Sequence, residues 1–170
     1  KEDFGASEHL DGVSPAWPID YETLEPYYER AERLYEVHGD SENDPTEPPR
    51  GPFPFPSIPH SEEITKAIAQ LREQGLHPSS LPLGLRRPGE QDGCILCDTC
   101  NSFPCQRHAK SEAESCCVGP VLKEENVTLW TNAFAERLIT GPDGRKCEAV
   151  EVRLNDEVVR ATAPLVIVSC

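Results

Sequence analysis

The 170-residue sequence predicts an α/β fold, and three observations carry the prediction. Two capped, amphipathic helix patterns lie in the first half. Strand-and-turn chemistry takes over from Asn126. The last segment, Leu165-Val166-Ile167-Val168, is continuously apolar, the pattern of a parallel strand covered on both faces. Such a strand needs parallel neighbours and helices on both sides. Few of these are present, so the sequence reads as part of an α/β or α+β fold rather than a complete one.

The elements follow in order. Trp17-Pro18-Ile19 reads as an extended segment that delivers an aromatic anchor. Pro26 suits a first helical position, where its missing N–H is harmless. Tyr27, Ala31, Leu34 and Tyr35 then share one face, and Gly39 is the expected C-terminal cap. Glu22, Glu25, Glu29 and Glu32 are expected on a solvated face. Asp40 to His60 contains seven prolines, which exclude a helix or a central strand and predict a long, ordered surface crossing. Ser61 caps a second helix, with Glu62 and Glu63 in its first turn, Ile64, Ile68 and Leu71 as its buried stripe and Gly75 at its end. Ser111 is the expected cap of a third helix reaching Leu122.

Strands are expected over Val127 to Trp130 and Ala133 to Thr140. A turn at Gly141-Pro142-Asp143-Gly144 leads to a strand through Ala149, Val150 and Val152, and Asn155-Asp156 turns the chain into Val158 to Ala161. This is a β-meander. Three segments result: 1–93, helical and proline-rich; 94–122, a cysteine-rich loop and helix; and 123–170, the meander and the buried strand. In open α/β sheets a ligand lies beyond the carboxyl ends of such strands, which here means beyond Cys170.

Sixteen basic against thirty acidic residues give a formal charge of -14. That balance argues against nucleic acid and against an anionic membrane face. No apolar run approaches the roughly 20 residues of a membrane helix. Lys1-Glu2-Asp3-Phe4 has neither an initiator Met nor a signal-peptide core, and the chain reads as an internal piece of a longer protein.

Trp17-Pro18-Ile19-Asp20-Tyr21, with Leu24-Glu25-Pro26-Tyr27-Tyr28-Glu29-Arg30-Ala31-Glu32, resembles a signature of the glucose–methanol–choline (GMC) oxidoreductases. Phe103-Pro104-Cys105, Ala109-Lys110-Ser111, Asn126-Val127-Thr128-Leu129, Thr131-Asn132-Ala133 and Val166-Ile167-Val168-Ser169-Cys170 continue the resemblance in the right order. It implies a fold of the FAD/NAD(P)-binding, Rossmann-like kind, preceded by a cap or substrate segment. It further implies FAD as cofactor and hydride transfer from the CH–OH group of a small-molecule alcohol or sugar. The Gly-rich dinucleotide turn and the catalytic histidine of the family are expected outside these residues, so no catalytic residue is assigned here. The resemblance places Ala135 where a backbone N–H and C=O meet the adenine edge, and Cys170 beside the adenosine half.

Cys94, Cys97, Cys100 and Cys105 are separated by two, two and four residues. This approaches a ferredoxin-type run, although that run has three residues before its last cysteine and a proline after it. Three readings stay open: an iron–sulfur cluster, a zinc site, or disulfides and plain thiols. A cluster would imply electron exit to a cytochrome or quinone and would favour a dehydrogenase; the other class of reading is a metal-binding electron-transfer module. His108 is an alternative ligand to test. His9, His38, His60 and His77 have no metal spacing and are expected in surface or loop roles. Cys116, Cys117 and Cys147 read as structural, and Asn126-Val127-Thr128 as a chance glycosylation match.

Overall fold

The computed structural model describes residues 4–97, 100 and 103–169. The chain divides after Pro120 into two compact units. In the first, β1 (Ser7–His9) and β2 (Gly12–Ser14) form an antiparallel hairpin. The Trp17 N–H donates to the Phe4 carbonyl at 3.1 Å, and the two rings meet edge to face at 5.4 Å. Phe4 also packs edge-on against Tyr21, which stacks on Tyr28. The expected aromatic anchor is therefore real, although Trp17 stays more than half exposed.

Helix α1 spans Tyr21–Leu34 and starts earlier than Pro26 suggested. The reason is Asp20, whose carboxylate accepts the Thr23 N–H at 2.8 Å and caps the first turn. Pro26 thus lies inside the helix, and a turn of positive φ at Glu36 (47°) ends it in place of Gly39. Gly39 belongs instead to β3 (Val37–Gly39).

The exposed and covered faces of α1 are also exchanged. Tyr27 and Leu34 are exposed, whereas Glu32 turns inward to pair with Arg50 of the proline-rich crossing. A guanidinium that is itself only 10 % exposed selects the carboxylate face, because a buried charge must be matched.

The crossing returns through β4 (Phe55–Pro56), which pairs parallel with β3, and β5 (Leu83–Gly84) pairs antiparallel on the other side. With the order β4-β3-β5, the proline strand is an edge, where a missing donor costs no ladder bond. His38 sits on the central strand and is 3 % exposed, contrary to the surface role expected of it. It stacks on Phe55, and its Nδ1–H donates to the Pro56 carbonyl at 2.9 Å.

Helix α2 (Glu62–Glu73) has the expected Ser61 cap, and Gly75 follows with φ 79°. Its expected stripe is not buried: Ile64 and Leu71 are exposed, since no apolar face among the described residues covers them. The third helix is shorter than expected. It comprises a π-helical turn, Glu114–Val118, and a last turn α3, Gly119–Val121. Ser111 does not cap it; the Ser115 hydroxyl takes the Glu112 N–H at 3.1 Å and donates to the Lys110 carbonyl at 2.9 Å.

The second unit is the meander, β6 (Ala133–Thr140), β7 (Cys147–Leu154) and β8 (Glu157–Ala161), antiparallel throughout. Asn155 and Asp156 both have positive φ, 47° and 71°, as a two-residue hairpin turn requires. Ala149 and Val152 are its buried apolar side chains among the described residues. One expectation fails here: Val127–Trp130 forms no strand. Leu165–Val168 is unpaired among the described residues, with Leu165 74 % and Ile167 78 % exposed. A strand exists through its partners, and no described residue supplies them.

Candidate functional site

The cysteine loop is tied at both ends to one short stretch of backbone. The Arg86 N–H donates to Ala109 O at 2.9 Å, Cys94 N–H to Arg86 O at 3.1 Å, and Ser111 N–H to Gly84 O at 3.1 Å. Leu85 and Lys110 form a β-bridge between these bonds, and Ala109 is 3 % exposed. Within the loop, Lys110 Nζ donates to the carbonyls of Cys100 at 2.8 Å and Phe103 at 2.6 Å. The lysine is a clamp that sequence reasoning missed. Its signal was its place in Ala109-Lys110-Ser111, five residues beyond the last cysteine of the run.

Two of the loop thiols, Cys100 and Cys105, are shifted in opposite directions. Partial desolvation raises Cys100 above the usual thiol range; the charge of Cys97, a hydrogen bond to it, and Cys94 add to the effect, while Lys110 opposes it. Cys105 is lowered, mainly by the backbone N–H groups of Ala109 and Arg107. Cys94, Cys97, Cys100 and Cys105 are all unbridged. Among the described residues, no three His, Cys, Asp or Glu side chains stand close enough to hold a metal ion. His108 lies at a positive φ of 52°, its N–H donating to Cys105 O at 2.9 Å.

Ala135 lies on β6, an edge strand of the meander, opposite Val152, and is exposed. The register shifts directly after it, between Ala135 and Arg137, so the backbone there departs from the regular ladder. Cys170 lies outside the described residues. Below the bulge, Glu151 of β7 is gripped from both sides. Arg137 of β6 donates to it at 2.8 and 3.0 Å, and Arg160 of β8 at 2.9 and 3.1 Å. These two arginines hold the Glu151 carboxyl below its ordinary range, Arg160 contributing most.

The family model described as "GMC oxidoreductase" matches residues 18–170. The chain is 31% identical over 173 residues to paromamine 6'-oxidase of Streptomyces fradiae. It is 30% identical over 177 residues to 6'''-hydroxyparomomycin C oxidase of Streptomyces lividus. Each comparison covers 99% of this chain and 31% of the relative, so the chain spans about a third of the length of these curated relatives. The aromatic anchor, the clamped cysteine loop and the meander all fall within or at the edge of the matched stretch, and the chain belongs to the GMC oxidoreductase family.

Proposed function

We propose that the protein oxidises the CH–OH group of a sugar-like alcohol, with FAD as hydride acceptor. The family match over residues 18–170 carries this reading. The names of the two relatives, oxidases of paromamine and of a hydroxyparomomycin, favour a substrate of that kind. FAD, when bound, supplies the electron-accepting ring.

This chain's own contribution is to hold the adenine end. Ala135 fits that task, because an exposed edge-strand residue beside a bulge can offer its backbone N–H and C=O outward, and a ligand bonded through the backbone is indifferent to the small side chain. The second position assigned to the cofactor, Cys170, belongs to the same proposal. The test is an anaerobic visible spectrum of the full-length protein, before and after a panel of sugar alcohols and amino sugars. Flavin bands that bleach with substrate support the reading; a protein without flavin, or one that no member of the panel reduces, rejects it. Oxygen uptake set against reduction of an artificial cytochrome or quinone-like acceptor then separates oxidase from dehydrogenase.

A second reading, a metal or iron–sulfur centre on Cys94, Cys97, Cys100 and Cys105, is supported by the spacing of the cysteines and by the pinned loop. Among the described residues the side chains do not converge on a metal position. Iron and acid-labile sulfide analysis of anaerobically purified protein tests it. Metal content unchanged by Cys97→Ser would dispose of it.

A further inference from the structure

The geometry points to a modification site outside the cysteine loop: a cleft in the first unit where Cys116 exchanges with a small zwitterionic disulfide of the amino-acid type. The cleft holds about 340 Å³, at the small end of ligand sites. Glu36, Arg86, Arg87, Glu90, Ser115 and Cys116 line it. Two guanidinium groups and two carboxylates suit a ligand that carries both an ammonium and a carboxylate, and offer little to an uncharged one. Arg87 and Glu90 pair with each other at 3.3 Å, but both are more than half exposed, so either can turn to a ligand at small cost.

The nucleophile is singled out by the π-helical turn. Cys116 and Cys117 are neighbours in sequence with different surroundings. The Cys117 thiol donates toward the Tyr35 hydroxyl at 3.6 Å and does not line the cleft. Cys116 lines it, its sulfur 3.8 Å from the Ser115 hydroxyl. That hydroxyl is held by Lys110 O and Glu112 N, which fixes the wide turn presenting Cys116. Widened turns of this type recur at functional sites.

The step balances without another reagent. The Cys116 thiolate attacks one sulfur of the disulfide, a protein–ligand S–S bond forms, and the ligand's own S–S bond breaks. The departing half leaves with the electron pair and takes up the proton that Cys116 released.

The experiment compares cystine with bis(2-hydroxyethyl) disulfide on the reduced full-length protein. Tryptic peptide mass spectrometry follows Ser111–Lys123 apart from the peptide bearing Cys94 to Cys105. Cystine should label Ser111–Lys123 faster than the uncharged reagent, Cys116→Ser should abolish that label, and Cys117→Ser should keep it. Arg86→Gln should slow cystine about fivefold, the scale of one exposed charge pair, and leave the uncharged reagent unchanged. Glu36→Gln is a second arm with the same expected selectivity. A label residing on Cys117, or a cystine preference that survives both charge-removing variants, overturns the proposal.

Discussion

Glu32 and Arg50 decide which side of a helix faces the protein. The pair is 15 % and 10 % exposed, and Arg50 also lies over the Phe53 ring at 3.9 Å. Glu32→Gln leaves that guanidinium with Glu47 at 3.8 Å as its remaining acidic partner. A loss of about 2 kcal/mol in urea unfolding is expected, the cost of leaving a buried guanidinium with a neutral amide oxygen in place of a carboxylate. Glu62→Gln is the control: its pair with Lys66 is 76 % and 68 % exposed and should change stability by less than about 0.5 kcal/mol. Equal effects would show that burial does not set the difference. Ala135 is tested at the same scale. If its backbone N–H meets the adenine, Ala135→Pro should weaken FAD binding about tenfold, the worth of one hydrogen bond, and Ala135→Val should not. An edge strand tolerates the proline, so flavin fluorescence titration reads binding rather than collapse.

At the scale of the element, the meander is tied across all three strands by one carboxylate, Glu151, between Arg137 and Arg160. Its carboxyl is lowered in the folded protein, so the ionised form is the one the fold prefers. The stabilisation is fully present above the ordinary glutamate range and is lost as pH falls through the lowered folded value. Thermal melting should therefore fall with acidification in that window, and Glu151→Gln should flatten this part of the profile. A variant with the same acid slope as the parent would place the sensitivity elsewhere.

The meander was legible in the sequence because its turns are local: Gly141 to Gly144 and Asn155-Asp156 bend the chain wherever it lies, and alternation pairs what they connect. The Ser61 cap was equally legible. Helix α1 was not, because Pro26 suggests a later start than the Asp20 cap gives, and its inward face is chosen by Arg50, eighteen residues beyond Glu32. For the candidate site, the spacing of the cysteines was visible, but not the Lys110 clamp that folds back onto residues 100 and 103.

Over the whole molecule, the described residues bury little. Tyr21 and Ala109 in the first unit, and Ala149 and Val152 in the second, are the buried apolar residues, while Leu165, Ile167, Leu10 and Phe134 are largely exposed. Apolar area left in water gives no stabilisation and favours association. The chain expressed by itself is therefore expected to bind an apolar dye such as ANS and to self-associate with rising concentration. A monomer that melts cooperatively without dye binding would contradict this.

By itself the sequence determined the family, the α/β character, the β-meander and the acidic balance of the chain. These follow from local patterns and composition, which need no partner to be read. Tertiary structure alone decided that the glutamate face of α1 turns inward and that His38 is buried on a central strand. Each of these depends on what lies opposite in space. Hydrophobicity fixes how strongly a segment seeks cover, but only a neighbouring surface determines whether it finds any.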